Sequence, residues 1–401
     1  MTAVRLKDIV AINQRALPDS SASDFAFRYI DISCVNPDGK ISLPDNKVTF
    51  DAAPSRARRL AAPGDVIVST VRTYLRAIAR VPTVEDPVVF STGFAVLTPT
   101  ARVDPGYLFY LCRSEPFVQE VVARSVGVSY PAINASELGD FHVDLPQLPQ
   151  QRAIAAALDA ETAVLDEMRD QLLGLARLIG ERRQATVTEA LERLHPTATM
   201  RPLKYLARVT VGIVVTPSAY YVQSGGVPAL RSANVRPGRL VDDEVIQIST
   251  EGHGLHAKSA LREGDVVVVR TGAGTGAAAV VPERYDGANC IDLVLIRPGR
   301  QLSPDYLQLV INADITRQHI ARHSVGSGQA HFNVEAMKQI VIPMPPRAEQ
   351  EAAVRAVQQQ HALLDELREA VNDQLQLLEE RRQALITTAV TGRMDVTREA
   401  A

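Results

Sequence analysis

The sequence lacks any long apolar run. No stretch approaches the roughly 20 consecutive apolar residues that a bilayer-spanning helix requires, and the opening "MTAVRLKDIV" has none of the layout of a secretory signal. The expectation is a cytoplasmic protein that does not enter a membrane. Cysteine is scarce as well: Cys34, Cys112 and Cys290 stand far apart with no paired spacing, which argues against a disulfide framework and against a thiolate metal site. Strong net charge is also missing. The formal value is −3 over 401 residues, so bulk charge does not announce a polyanion binder. Locally, residues 1–146 carry 15 basic against 16 acidic side chains and residues 201–345 carry 15 against 12; any DNA contact would have to come from patches.

Complete catalytic motifs are absent too. "RTGAGTGAAAV" (270–280) is Gly-rich and follows a strand-like run, but its glycines are spaced G-x-G-x-G and no Gly-Lys-Ser/Thr closes it, so it reads as a strand end rather than a nucleotide loop. His253 with His256, and His319 with His323, have no acidic or Cys set beside them to complete a metal site. In "PDGKISLPDNK" (37–47) Asp38, Asp45 and Lys47 mimic a carboxylate-and-lysine nuclease site, yet they lie among turn residues. No Asn/Asp-Pro-Pro-aromatic motif of an amino-methyltransferase is found. The expectation is a non-catalytic chain with no metal and no cofactor of its own.

What the chain does contain is itself, twice. "ERRQATVTEAL" (181–191) returns as "ERRQALITTAV" (380–390), 199 residues later. At the same spacing Gly39 answers Gly238, Pro99 answers Pro298, Gln151 answers Gln350, "DPGYLFYL" (104–111) answers "SPDYLQLV", and "SVGVSYPAIN" (125–134) answers "SVGSGQAHFN". "PGDVIVSTVR" (63–72) matches "EGDVVVVRTG" (263–272) with a slip of one residue. Matches spread this widely mark a tandem duplication.

Each copy has two parts. Residues 1–146 and 201–345 are rich in Gly, Pro and short β-branched runs such as "DVIVST" and "LVLIRP", bounded by turn residues; they read as mixed α+β domains. One short helix is expected at "GYLFYLCRSEPFVQEVV" and one at "DYLQLVINADITRQHIAR". Residues 147–198 and 346–395 start at a proline break and then run as helix with apolar residues near heptad spacing. The first stripe contains Ile154, Leu158, Leu165, Met168, Leu172, Leu175 and Ile179, and the second contains Val357, Leu364, Leu367, Val371 and Leu378. One stripe alone would stay half exposed; two offer each other a partner. The fold class expected is therefore α+β: two similar domains separated by two long helices that form an antiparallel coiled coil, with a pseudo-two-fold internal repeat. A helix of about 40 residues spans roughly 60 Å, long enough to act as a spacer.

Polar and basic material collects on the loops of the α+β parts: "SRARR" (55–59) and "STVRTYLR" (69–76) in the first copy, "LRSANVRPGR" (230–239) and "VRTGAG" in the second. Arg, Asn, Ser, Thr and Tyr are the side chains that reach phosphates and base edges. The candidates for DNA contact are Arg72, Tyr74, Arg76, Ser125, Gly127, Ser129 and Tyr130 in the first copy, and Arg231, Asn234, Arg270, Thr271, Ser327, Gln329 and His331 in the second.

The order of parts, with the "PPRAEQ" entry to the last helix and the "ERRQALITTAVTG" exit from it, resembles the specificity subunit of type I restriction-modification systems over essentially the whole chain. The first copy departs at its entry, with Gln147, Leu148, Pro149 and Gln150 before Gln151. The resemblance implies two target-recognition domains, each reading one half of a split site in double-stranded DNA, and helices that set the gap and recruit two methyltransferase subunits and, through them, restriction subunits. It places S-adenosylmethionine in the partner. The competing readings are a coiled-coil adaptor that never touches DNA, and a fused methyltransferase or nuclease.

Overall fold

The run Val66–Ser69 is apolar on both faces, a pattern that suits a strand covered on two sides. In the computed structural model, which describes residues 2–127, 130–194, 198–272, 274–322 and 332–393, this run and its counterpart Val266–Val269 are inner strands of two similar sheets. The chain divides into two compact units, residues 1–173 with 372–401, and residues 174–371. Among the described residues no helix is long and apolar enough to cross a membrane.

The first unit contains β1 (Thr2–Arg5), β2 (Val10–Ile12), β3 (Ala26–Ile30), β4 (Val48–Thr49), β5 (Ala57–Arg59), β6 (Val66–Ser69), β7 (Ile78–Arg80), β8 (Val88–Ser91) and β9 (Phe94–Pro99), then helices α1 (Pro105–Arg113), α2 (Glu115–Arg124) and α3 (Ala135–Gly139), then β10 (His142–Leu145) and the start of α4 (Leu148–Leu194). One sheet has the order β2-β9-β6-β7 and is antiparallel; a second has the order β4-β3-β8-β5 with β3 and β8 parallel; β1 pairs with β10. Alternation along β6 fixes the layers. Val66 and Val68 join Tyr107, Leu108 and Leu111 of α1, whereas Ile67 joins Ile30, Phe90 and Phe94 on the other side.

The second unit repeats this plan with β11 (Thr199–Pro202), β12 (Ala207–Val211), β13 (Tyr221–Val222), β14 (Val227–Leu230), β15 (Val235–Arg236), β16 (Arg239–Leu240), β17 (Ile246–Ile248), the short α5 (Thr250–Leu255), β18 (Val266–Val269), β19 (Ala278–Val280), β20 (Asn289–Cys290) and β21 (Leu293–Pro298), followed by α6 (Pro304–Asn312), α7 (Asp314–Arg322), α8 (Val334–Gln339), β22 (Val341–Met344) and α9 (Arg347–Val390). Its main sheet, β12-β21-β18-β19, is covered by α6 on one face and by residues such as Leu230 and Cys290 on the other.

Where one helix per copy is expected after the main sheet, the structure has two. Ser114 is extended (φ −65°, ψ 146°), ends α1 and starts α2, and Pro116 lies in the first turn of α2; proline is at home there and not mid-helix. No proline stands at the matching break in the second copy. There Ala313 is extended and buried against Val187 and Val357, so packing on the long helices sets the break.

Each α+β part is tied to its long helix by one neutral side chain. Gln151, in the first turn of α4, accepts from Asp104 N (2.8 Å) and donates to the carbonyls of Arg102 (3.1 Å) and Pro146 (2.9 Å). Gln350 in α9 does the same with Ser303 N (2.9 Å), Gln301 O (3.0 Å) and Pro345 O (2.9 Å). Both amides are buried, and both satisfy backbone groups that water cannot reach.

The duplicated "ERRQ" segments explain themselves in the helix contacts. In the first unit Arg382 of α9, nearly buried, pairs with Asp166 of α4 and donates to Thr162 O at 3.4 Å, while Ile386, Ala389 and Val390 share a core with Ile154, Ala155 and Leu158. In the second, Arg183 of α4 pairs with Asp365 of α9 at 2.5 Å, His361 donates a ring N–H to Arg183 O at 3.1 Å, and Val187 packs on Val357. Residue numbers rise on one helix as they fall on the other, so within each unit the helices run antiparallel. Arg183 and Arg382 are repeat partners, and so are Asp166 and Asp365: one ion pair is made twice.

Of the heptad residues, Leu158, Leu165, Ile179, Val357 and Val371 are buried, Leu172, Leu364 and Leu378 are half-buried, and Met168, Leu175 and Leu367 are exposed. The "PDGK" turn is part of the same frame. Asp38 pairs with Arg169 and lies 3.9 Å from Arg382, and Lys40 reaches Asp166 at 2.7 Å. Asp38 thus serves as a clamp between guanidinium groups. Lys47 pairs with Asp86 at 2.5 Å.

Replacing Gln350 by Ala strands an N–H and two carbonyls, and should lower stability by about 2–4 kcal/mol in urea unfolding. Partial burial works to raise the Asp166 carboxyl pKa, but Lys40 and Arg382 outweigh it and hold it below the ordinary carboxylate value. A depressed folded pKa gives stability that is present above about pH 4 and lost as pH falls through the folded value. Acid unfolding followed by circular dichroism should therefore show wild-type stability falling as pH drops below about 4, and Asp166→Asn should be weaker at neutral pH but less steep below pH ~4.

Candidate nucleic-acid interface

The β6–β7 connection begins where Ser69 and Thr70 leave the sheet. Its short 3-10 turn, Thr73–Leu75, is flanked by Arg72 and Arg76, both left-handed at φ 51°. An L residue there is strained by roughly 1–2 kcal/mol. A second loop clips onto it: Val71 and Val126 both bridge to Ala132, Arg72 N donates to Pro131 O at 2.7 Å, and Ile133 N donates to Thr70 O at 2.9 Å. This brings the Arg72 guanidinium over the Tyr130 ring, 4.9 Å from its centroid. Tyr130 is 67% exposed and Tyr74 56%. Among the described residues Arg72 meets no carboxylate. Stacking holds its plane while its donor fork stays outward.

Other candidates of the first copy have partners inside the chain. Arg76 makes a two-pronged pair with Glu115 (2.8 and 3.0 Å), and that pair holds the Glu115 carboxyl below its ordinary pKa. Ser125 donates to Val121 O at 2.7 Å and meets the Thr73 hydroxyl at 2.8 Å. Gly127 is left-handed at φ 117°, and a Cβ there would sit 3.0 Å from Tyr130 O, so it shapes the loop that carries the ring. Ser129 lies outside the described residues.

Among the described residues the second copy repeats part of this arrangement with other side chains. Phe332 N donates to Arg270 O, as Ile133 N does to Thr70 O. Gly272 (φ 84°) and Gly276 (φ 87°) hold the left-handed positions that Arg72 and Arg76 hold in the first. Arg270 is 3.3 Å from Asp292, which also accepts from Thr271 Oγ1 at 3.1 Å and is itself left-handed at φ 51°. Arg231 donates to Glu244 O at 3.2 Å. Asn234 is fully buried, its amide accepting from Arg231 N and donating to Val241 O and Asp243 O, so its place is inside the fold and not on the surface. Ser327, Gln329 and His331 lie outside the described residues.

The structure therefore brings Arg72, Tyr74 and Tyr130 to one exposed loop cluster, and Arg270 with Thr271 to the equivalent place. Sequence reasoning did not find Glu115 or Asp292, the carboxylates that hold Arg76, Arg270 and Thr271. The one available signal was the pair Gly272 and Gly276, which marks the left-handed turn that arginine adopts in the first copy. Among the described residues no group of three or more His, Cys, Asp or Glu side chains could hold a metal ion.

Residues 1–173 and 220–377 match the family described as type I restriction modification DNA specificity domain. The chain is 22% identical over 324 residues to the type I restriction enzyme EcoKI specificity subunit of Escherichia coli K12, covering 76% of this chain and 69% of the relative. It is 20% identical over 321 residues to the StySPI specificity subunit of Salmonella potsdam, with the same two coverages. A chain from a solved structure described as the basis of complex assembly and conformational transition of the type I R-M system superposes with a TM-score of 0.75 at 25% identity, covering 97% of each. The HsdS subunit from Thermoanaerobacter tengcongensis superposes with a TM-score of 0.50 at 24% identity, covering 98% of this chain and 97% of that one.

Because Gly272 occupies the turn without a side chain, Arg72→Gly should keep the fold, with unfolding free energy within about 1 kcal/mol of wild type as relief of strain offsets the lost stacking. Thermal denaturation of the two proteins side by side checks this.

Proposed function

Since the chain belongs to the family of type I restriction modification DNA specificity domains, we propose that its two loop platforms read the two halves of a split, asymmetric site in double-stranded DNA. Membership makes it the DNA-recognition subunit of a type I restriction-modification complex. The observation that carries the finer reading is the pair of left-handed turns with different side chains: Thr70, Arg72 and Arg76 in the first stand where Arg270, Gly272 and Gly276 stand in the second. A shared scaffold with unlike tips suits two different half-sites. Residues 1–146 and 201–345 are the recognition domains in this reading, and the helices of 147–198 and 346–395 fix the number of unread base pairs and serve two methyltransferase subunits, which bring S-adenosylmethionine.

Within the first domain Arg72 is the base reader. Its stacked guanidinium, which meets no carboxylate among the described residues, can form the two-pronged contact with guanine O6 and N7 that is the commonest specific contact in the major groove. Tyr74 and Tyr130 flank it as sugar, phosphate or stacking contacts. Arg76, tied to Glu115, positions the turn. In the second domain Arg270 and Thr271 present a more neutral surface, because Asp292 meets both.

Base-resolution mapping of adenine methylation, in cells that carry the partner methyltransferase with and without this chain, tests the reading. The expected result is a split motif methylated only when the chain is present. Arg72→Ala should relax one position of one half-site, a cost of about 1–3 kcal/mol on the matching base. An equal loss on every sequence, with a shallower salt dependence, would make Arg72 a phosphate contact instead.

A further inference from the structure

Beside β18 and β21 the second unit holds a carboxylate whose acceptor capacity the chain uses only in part. Asp292 stands just before β21 at φ 51°, a left-handed position that Asp enters more readily than most side chains. Its backbone N–H donates to Ile213 O at 3.0 Å. One carboxylate oxygen lies 3.3 Å from Arg270 Nη1, and the other accepts from Thr271 Oγ1 at 3.1 Å. A carboxylate offers about four acceptor sites, so two contacts leave about half of them open. The Asp292 side chain is 37% exposed against 18% for Arg270, and Arg270 Nε is buried. The outward member of the pair is the acid. Segments 212–216 and 271–276, which bond to Asp292 through Ile213 and Thr271, contain no charged residue that could take up the free lone pairs. In the first unit the strand registers put Gly93 at the head of the matching strand, since Phe94 pairs with Ser69 as Leu293 pairs with Val269. Glycine offers no side chain there, and the group held outward is the Arg72 guanidinium over Tyr130.

We propose that Asp292 is a specificity-determining residue of the second domain and accepts from the N4 amino group of a cytosine, with Arg270 and Thr271 as positioning residues that fix its carboxylate. This rests on the DNA-reading role proposed above for the two loops. A carboxylate on such a loop is repelled by phosphate, so it gains only where it meets a donor on a base edge. In the major groove that donor is an exocyclic amine, on cytosine or on adenine. Adenine presents the N7 acceptor beside its amine, facing the second carboxylate oxygen, whereas cytosine has a C–H there and repels nothing. The two domains then read with opposite chemistry, a donor fork in the first and an acceptor in the second.

The test maps adenine methylation at base resolution in cells that carry the partner methyltransferase with the full chain as wild type, Asp292→Asn, Asp292→Gly or Arg72→Ala. Asn and Gly both accept a left-handed backbone, and thermal denaturation of each purified chain reports its fold. The wild-type motif should contain a C·G pair that both Asp292 variants relax, with preference for that pair down about tenfold and the other half-site unchanged. Arg72→Ala should relax the opposite half. The proposal is overturned if the Asp292 variants keep the wild-type motif, relax a pair other than C·G, or relax the half that Arg72→Ala alters. Folded variants that lose methylation equally on every sequence would overturn it too, and unfolding of both would reduce Asp292 to a structural tie. Each of these outcomes leaves the reading of a split site intact. A wild type that methylates no split motif overturns that reading and the proposal together.

Discussion

A guanidinium that lies nearly buried must meet a carboxylate, because an unpaired charge in that position is costly. Arg382 in the first unit meets this demand by facing Asp166 of the other copy's helix, and its half-buried repeat partner Arg183 faces Asp365 in the same way in the second. Everything else follows from that exchange. Each unit is completed by a helix end that the other copy of the sequence supplies, so neither copy builds a unit from its own residues alone. The "ERRQ" segment is written twice because the contact it makes is needed twice, once in each unit.

On this frame the loops after β6 and β18 are free to differ. The backbone turn after β6 and the one after β18 both pass through left-handed positions, yet one is filled by arginines and the other by glycines. Glycine is the unstrained choice there. The arginines of the first copy therefore reflect something their side chains do: Arg76 secures the turn to Glu115, and Arg72 lies over Tyr130. Strain of this kind persists where the surroundings over-determine a conformation, and it gathers at functional sites.

The duplication, the two long helices and the alternation of α+β parts were legible in the sequence, since each leaves a periodic trace: 199 for the repeat, near seven for the helices, two for strands such as β6. Gln151 and Gln350 were visible as a repeated residue, though not as latches. What stayed hidden depends on contacts between residues far apart in the chain. The pairing of Arg76 with Glu115 and of Arg270 with Asp292 has no sequence period, and the burial of Asn234 follows from how 241–243 fold over it. The heptad pattern located the helices but overcounted their seam. Met168, Leu175 and Leu367 continue the stripe on the page while facing outward in space, because a straight helix drifts away from a strict seven-residue repeat.

The glutamine latches differ from most of the polar contacts around them in carrying no charge. Raised ionic strength screens exposed ion pairs and competes with protein cations for a polyanion, but it has little purchase on a buried amide bonded to backbone. Conditions salty enough to strip the chain from its target would thus leave the α+β parts seated on their helices. Release and reloading can then proceed many times without loosening the frame that holds the loops after β6 and β18.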